Sequence, residues 1–375
     1  MKLKIRQLIS KKQTILLISS ALLFFLAYFV KQMAQINIDA TTNFYTFGFY
    51  KYYITFLSKI NSLVPFSIAE VLVVLFGIFV VFYVILLVKT LIFNREKLVS
   101  TLILLIFPAS IIYFMFSISY IPNYYNYNFV HYSELETTET TVDNLYLLCV
   151  ELAENATAYR EILEQENQVF SYSNELSHNE LFEICTDSYN DFTSDYPEFT
   201  SLFDVVQNAT AKPVILSEIM SYLKINGFFF GLTGEANVNT HTSAVYIPST
   251  VCHELAHVAG FMREDEANFI SFLVCRSSDN EYLNYSGTML ALLYSGNALY
   301  SKSPEKYFEV MSLLSTEVIM DINAHSEYYN AHDTNIGKVS TSVNDTYLRA
   351  NDQADGVNSY GRMVDLLIAD YNARH

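Results

Sequence analysis

From Phe66 to Val88 the chain carries a single charged side chain, Glu70, in a run long enough to cross the hydrocarbon core of a bilayer. Two more apolar runs, Thr14 to Val30 and Leu98 to Tyr120, have the same character, the last with Pro108 as an expected kink. Lipid offers no partners to backbone amides, so each run is expected to be a helix. The first could instead be a signal peptide, but no small-x-small cleavage site follows it, and the later runs anchor the chain in either case. A hydrophobic fraction of 51% with only 16% charged residues lies outside the usual soluble balance and agrees with a membrane region.

Charge divides the 375 residues unevenly. Residues 1–120 hold 11 of the 22 Lys+Arg but 3 of the 39 Asp+Glu, leaving 11 against 36 beyond them. Lys2, Lys4, Arg6, Lys11 and Lys12 precede the first run, and Lys89, Arg95 and Lys97 sit between the second and third. The positive-inside rule therefore puts the N-terminus in the cytoplasm and residues 121–375 outside it. We expect a membrane domain over 1–120, with spans near 14–30, 66–88 and 98–120, and an extracytoplasmic domain over 121–375. The aromatic stretches 43–63 and 121–130 are expected at the lipid interface. The acidic surface excludes nucleic acid as a partner and leaves the bilayer as the expected one.

In the outer part, apolar residues recurring three and four apart predict a helix over 132–173; 213–223, 288–298, 304–322 and 363–371 also read as helical, and 172–194 as a loop with short helices. Segments 228–231, 233–239 and 243–247 read as short strands or turns, and 233–239 is the candidate strand for lining a cleft, although a plain β-turn explains its Gly and Asn equally well. The expected fold class is thus a three-span helical membrane region plus a mainly helical α+β domain.

That domain contains His253-Glu254-Leu255-Ala256-His257. Four residues apart on a helix is one face, so both imidazoles can meet one ion while Glu254 lies alongside. Two imidazoles and a carboxylate fill three positions of a tetrahedral Zn2+ and leave the fourth for a water, which Glu254 would activate as general base. Ser249 or Thr250 is the expected cap, Gly260 the terminator, and a second helix is expected from about Met262. On it Glu264 ranks first as third ligand, Glu266 second and Asp265 third, because Asn268, one turn beyond Glu264, can hydrogen-bond a ligand histidine. Tyr285, Tyr360 and Arg362 are weaker candidates for stabilising a developing oxyanion, a structural hydrogen bond being the commoner role. His325 and His332 are expected at the surface. The four cysteines form no CxxC pair; for Cys252 and Cys275 a buried pair or a disulfide is favoured over ligation.

Several segments carry a resemblance over nearly the whole chain: VPFSIAEVL at 64–72, NYY at 123–125, GLTGEANVN at 231–239, CHELAHVAGFMREDEANFISFLVC at 252–275, NYSG at 284–287 and DGVNSYGRMVDLL at 355–367. They resemble a bacterial membrane-protein family of unassigned function, with three N-terminal spans and an extracytoplasmic zincin-like domain. The Glu264-to-Asn268 arrangement is similar to the second zinc motif of gluzincin peptidases, which often have Asp where this chain has Asn268. The residues and the resemblance lead to one expectation: a membrane-anchored zinc metallopeptidase cutting peptides or envelope proteins outside the cytoplasm. The alternatives are a non-catalytic envelope scaffold or binding protein, and a zinc hydrolase acting on a non-peptide amide of the cell wall.

Overall fold

The computed structural model describes residues 10–137, 141–163, 165–172, 176–351, 353 and 362–375; it is mostly helical, with one small mixed sheet. Helices α1 (Lys11–Ile36), α2 (Lys51–Asn61), α3 (Ile68–Phe93) and α4 (Leu98–Ser119) lead the chain. Three of them, α1, α3 and α4, are long and apolar enough to cross a membrane. At about 1.5 Å per residue α3 alone rises roughly 39 Å, more than a hydrocarbon core of about 30 Å. Helix α4 runs on through Pro108.

The residues fall into two compact units. Residues 1–50 with 68–126 make one, and 51–67 with 127–375 make the other. In the first, α1 packs along α4, and the Thr90 and Thr101 hydroxyls approach to 3.4 Å where α3 turns into α4. Thr46 donates to Asn123 at 2.8 Å, and Tyr45 to the Ile118 carbonyl at 2.8 Å. Residues 121–124, expected as an interfacial belt, are therefore buried protein. Asn123 needs a partner once out of water, and Thr46 supplies it.

The division differs from a cut at residue 120 in two respects: residues 121–126 belong with the first unit, and α2 and the loop after it belong with the C-terminal part. The stretch 43–63, expected as one interfacial helix, divides at Tyr50/Lys51. From α2, Tyr53 donates to the Gly231 carbonyl at 3.0 Å, Ser58 to Gly234 at 3.4 Å, and Asn61 to Thr233. Lys212, only 2% exposed, donates to the carbonyls of Asn61 (2.9 Å), Val64 and Phe66 (3.3 Å), with Glu235 at 4.0 Å. Burial lowers the Lys212 ammonium pKa and Glu235 opposes that shift. A buried lysine is tolerated where carbonyl dipoles and a carboxylate replace its water.

The second unit continues with α5 (Val142–Ile162) and α6 (His178–Asp195), then strands β1 (Ala211–Pro213), β2 (Gly227–Phe230) and β3 (Glu235–Val238). Helices α7 (Ile247–Val258), α8 (Glu264–Ser277), α9 (Glu281–Lys302), α10 (Thr316–Ala331), α11 (Asn335–Ala350) and α12 (Met363–Arg374) follow. Helix α6 replaces the loop expected over 172–194. A capping box starts it, Ser177 accepting from the Glu180 amide and Glu180 from the Ser177 amide, and Leu181, Phe182, Cys185, Tyr189 and Phe192 form its buried face. In the sheet, β3 is central, parallel to β1 and antiparallel to β2. Segment 243–247 is not a strand but a helical turn that runs into α7. That helix starts four residues earlier than expected, and Ser249 and Thr250 donate back to the Tyr246 carbonyl instead of capping it.

A buried ion pair ties four segments together. Arg160 on α5 donates to Asp321 on α10 at 2.8 Å, and Asp321 also accepts from the Tyr285 hydroxyl of α9 (2.7 Å) and the Phe170 amide (2.5 Å). Removing one partner of such a pair strands the other charge, so Asp321→Ala is expected to destabilise the unit by roughly 3–5 kcal/mol, read as a lowered melting temperature. An unchanged melting temperature would show that the pair does not support the fold.

Candidate metal centre

Residues 253 and 257 stand one helical turn apart on α7, and Gly260 lets the chain fold back directly after them. Its φ of +100° lies in the region that side chains disfavour, and the Phe261 amide returns to the Ala256 carbonyl at 3.1 Å. Helix α8 then opens with Glu264, Asp265 and Glu266, placing negative charge at its positive end. This start, two residues later than expected, puts Glu264 in the first turn, facing the histidines.

The result is a convergence of three donors. One ligand atom each from His253, His257 and Glu264 lies within 4.8 Å of the others. Glu264 Oε2 is 3.2 Å from His253 Nε2 and 3.8 Å from His257 Nε2. Each ring is oriented from behind: His253 Nδ1 donates to Asn268 Oδ1 at 2.8 Å, and His257 Nδ1 to the Phe261 carbonyl at 2.7 Å. With both Nδ1 atoms facing acceptors, each Nε2 is the nitrogen turned toward the other two donors, and loss of its proton gives the tautomer that metal binding requires. Two imidazole nitrogens and a carboxylate at this spacing fit Zn2+.

Burial would lower the His257 imidazolium pKa, but the Glu264 carboxylate outweighs it and raises it to about 9. Burial would likewise raise the Glu264 carboxyl, yet hydrogen bonds from His253 and His257 hold it well below the usual carboxylate range. Protons thus occupy the triad near neutral pH when no cation is bound, and a cation must displace them.

Glu254 projects beside the triad. It is 4% exposed, its Oε2 has no hydrogen-bond partner, and burial raises its pKa to about 7 against the lowering pull of His253 and His257. Strand β2 walls it in: a Cβ added at Gly227 would lie 2.5 Å from Glu254 Oε1 and 2.7 Å from its Cγ, so any side chain there forces Glu254 to shift. Segment 233–239 contains the central strand, flanked on both sides, whereas β2 is the strand that meets Glu254.

The other candidate residues are placed as follows. Glu266 pairs with Arg263 at 3.0 Å, and Asp265 with Arg362 at 3.3 Å, so neither is part of the triad and Arg362 is engaged with the α8 terminus. Tyr285 donates to Asp321 in the buried pair, a structural role. Tyr360 lies outside the described residues. His325 is half-buried between the rings of Tyr246 (4.3 Å) and Tyr329 (4.8 Å), and burial lowers its pKa to about 4. The half-buried His332 donates to the Tyr328 carbonyl at 2.8 Å. Cys252 and Cys275 are free buried thiols 3.8 Å apart, apart from the ligand set.

Three contributors escaped the sequence reading. The Phe261 carbonyl acts through its backbone, which sequence does not distinguish. Gly227 follows from the sheet register. Tyr294 on α9 has its pKa raised by burial first and also by Tyr329 and Glu264, with Asn268 beside it pulling the other way; among 29 tyrosines no spacing marks it.

Two outcomes are expected of zinc titrations on the purified full chain. Zinc should displace about one proton from His257 at pH 7, so affinity rises with pH up to about 9. Asn268→Ala should weaken binding roughly 10–100-fold while Glu264→Gln abolishes it. pH-independent affinity, or full binding by Glu264→Gln, would remove these residues from the ligand set.

Comparison with known proteins adds a family and no function. No curated protein and no solved structure matches the chain. A family model described as "Protein of unknown function (DUF3810)" matches residues 45–368, a stretch holding α2, the sheet and the whole triad. The chain therefore belongs to the DUF3810 family.

Proposed function

We propose that the protein is a membrane-anchored zinc metallopeptidase of the zincin type, with its catalytic unit outside the cytoplasm. The observation that carries this reading is the convergence of His253, His257 and Glu264, with both imidazoles oriented from behind and a partnerless buried Glu254 oxygen beside them. A purely structural site needs ligands only; Glu254 is additional to them.

When bound there, Zn2+ supplies Lewis acidity toward a water and a substrate carbonyl. Glu254 takes the proton of the attacking water on its unpaired Oε2 and delivers it to the leaving amine. Its pKa of about 7 suits a group that must both accept and release a proton near neutral pH, and a cation at the triad draws that value down. Asn268 and Phe261 hold the imidazoles so that neither turns to compete for the proton. Gly227 leaves Glu254 the room its carboxylate occupies.

Chain tracing supports the topology. Residues 51–67 and 127–375 share one unit, which suits a single side of a membrane, and the two apolar helices between them, α3 and α4, would account for one exit and one return. The basic turn at 95–97 then lies on the opposite side, which the positive-inside rule makes the cytoplasm.

Glu254→Gln keeps the shape of the site and removes the proton acceptor. The full chain with this change is expected to bind zinc as wild type does and to lose peptide hydrolysis by about 10²–10⁴-fold, measured with a quenched-fluorescence peptide library. Equal hydrolysis by the variant would end the proposal.

A further inference from the structure

We infer that residues 51–67, the chain between the first two apolar helices, are a working part of this site: they clamp strand β2 at both ends and thereby set the wall against which Glu254 stands. This rests on the reading of Glu254 as the general base.

At the turn end, α2 binds three backbone carbonyls of the turn, Gly231, Thr233 and Gly234, through Tyr53, Asn61 and Ser58. The turn is itself tight, since the Thr233 and Gly234 amides both return to the Phe230 carbonyl at 3.0 and 2.8 Å. Gly234, at φ +70°, lets its backbone lie directly on α2: a Cβ there would stand 3.2 Å from Leu57 Cβ. At the other end, Ser67 donates to Asn237 Oδ1 at 2.5 Å, and the Asn237 amide group donates onward to the Phe228 carbonyl at 3.3 Å and that of Glu235 at 3.1 Å. Phe228 is the neighbour of Gly227. Lys212 fixes the intervening loop by gathering the carbonyls of residues 61, 64 and 66.

The antiparallel register makes β2 respond as a unit, because Gly227 pairs with Val238 and Phe230 with Glu235. A shift of either end is carried along the strand to Gly227, which has no spare room beside Glu254. Solvation or simple packing would not require polar side chains on three turn carbonyls and a buried lysine on the loop. Tyr53, Ser58, Asn61, Ser67 and Lys212 are therefore positioning residues. They act on Glu254 through β2, and none of these hydrogen bonds joins them to α7 or α8, which bear the ligands.

The test uses the full chain in detergent, with Asn61→Ala/Ser67→Ala as the main variant and Tyr53→Phe as a milder one that removes a single hydroxyl. Zinc content should match wild type. Amide exchange over 227–238 should quicken by on the order of tenfold, less in Tyr53→Phe. The kcat for peptide hydrolysis should fall roughly ten- to a hundredfold with KM little changed, the pattern of a misplaced catalytic group. Combined with Gly227→Ala, which already displaces Glu254, the clamp change should cost little more. Unchanged exchange over 227–238 in both variants, parallel loss of zinc and hydrolysis, or strictly additive effects with Gly227→Ala would each overturn the inference. If the wild type cuts no peptide, the peptidase reading fails by itself, and the exchange and zinc measurements still decide whether the clamp exists.

Discussion

A carboxylate set between two imidazoles and largely shielded from water is expensive unless every participant is held, and in the second unit each one is. Glu264 lies within 3.2 and 3.8 Å of two ring nitrogens whose opposite faces are tied to Asn268 and to the Phe261 carbonyl. Those ties depend on the Gly260 corner, which brings α8 back across α7. The corner in turn needs apolar support, supplied by Phe129 packing at 5.8 and 5.9 Å from the Phe261 and Phe269 rings. His253 and His257 satisfy the Glu264 carboxylate, whereas Glu254 keeps a buried oxygen without a hydrogen-bond partner. A buried polar atom of this kind calls for an explanation, and the proposed general-base role beside a bound cation supplies one.

Much of this was legible because it is local. The four-residue spacing of the histidines, the corner at Gly260 and the pairing of Glu264 with Asn268 all follow from helical periodicity within 16 residues, and the apolar helices announce themselves by length. What depends on distant contacts was not legible. Residues 43–63 read as one interfacial helix because their aromatic surface resembles a membrane anchor; partners in the Lys212 and 231–237 segments, some 150 to 180 positions away, show that 51–67 belong with the sheet. Similarly, 233–239 resembles a cleft-lining strand until pairing on both sides makes it central and gives that place to β2. Tyr285 looked available as a hydroxyl near a cleft, and its engagement by Asp321 lies 36 residues away. The α6 capping box was local and visible, but the aromatic residues around it drew attention to packing instead of periodicity.

The same long-range ties bear on the segment between two apolar helices. Residues 51–67 belong with the sheet, and a fragment beginning near residue 121 lacks the donors that hold the β2–β3 turn. The buried thiols of Cys185, Cys252 and Cys275 fit this picture as packing behind α7, their pKa values raised by desolvation away from the reactive range.

X-ray absorption at the zinc edge of the purified full chain examines the central claim at its origin. The account predicts one zinc per chain bound by two imidazole nitrogens at about 2.0–2.1 Å, with the remaining scatterers oxygen. Sulfur at about 2.3 Å, or a chain that takes up no zinc, would contradict it.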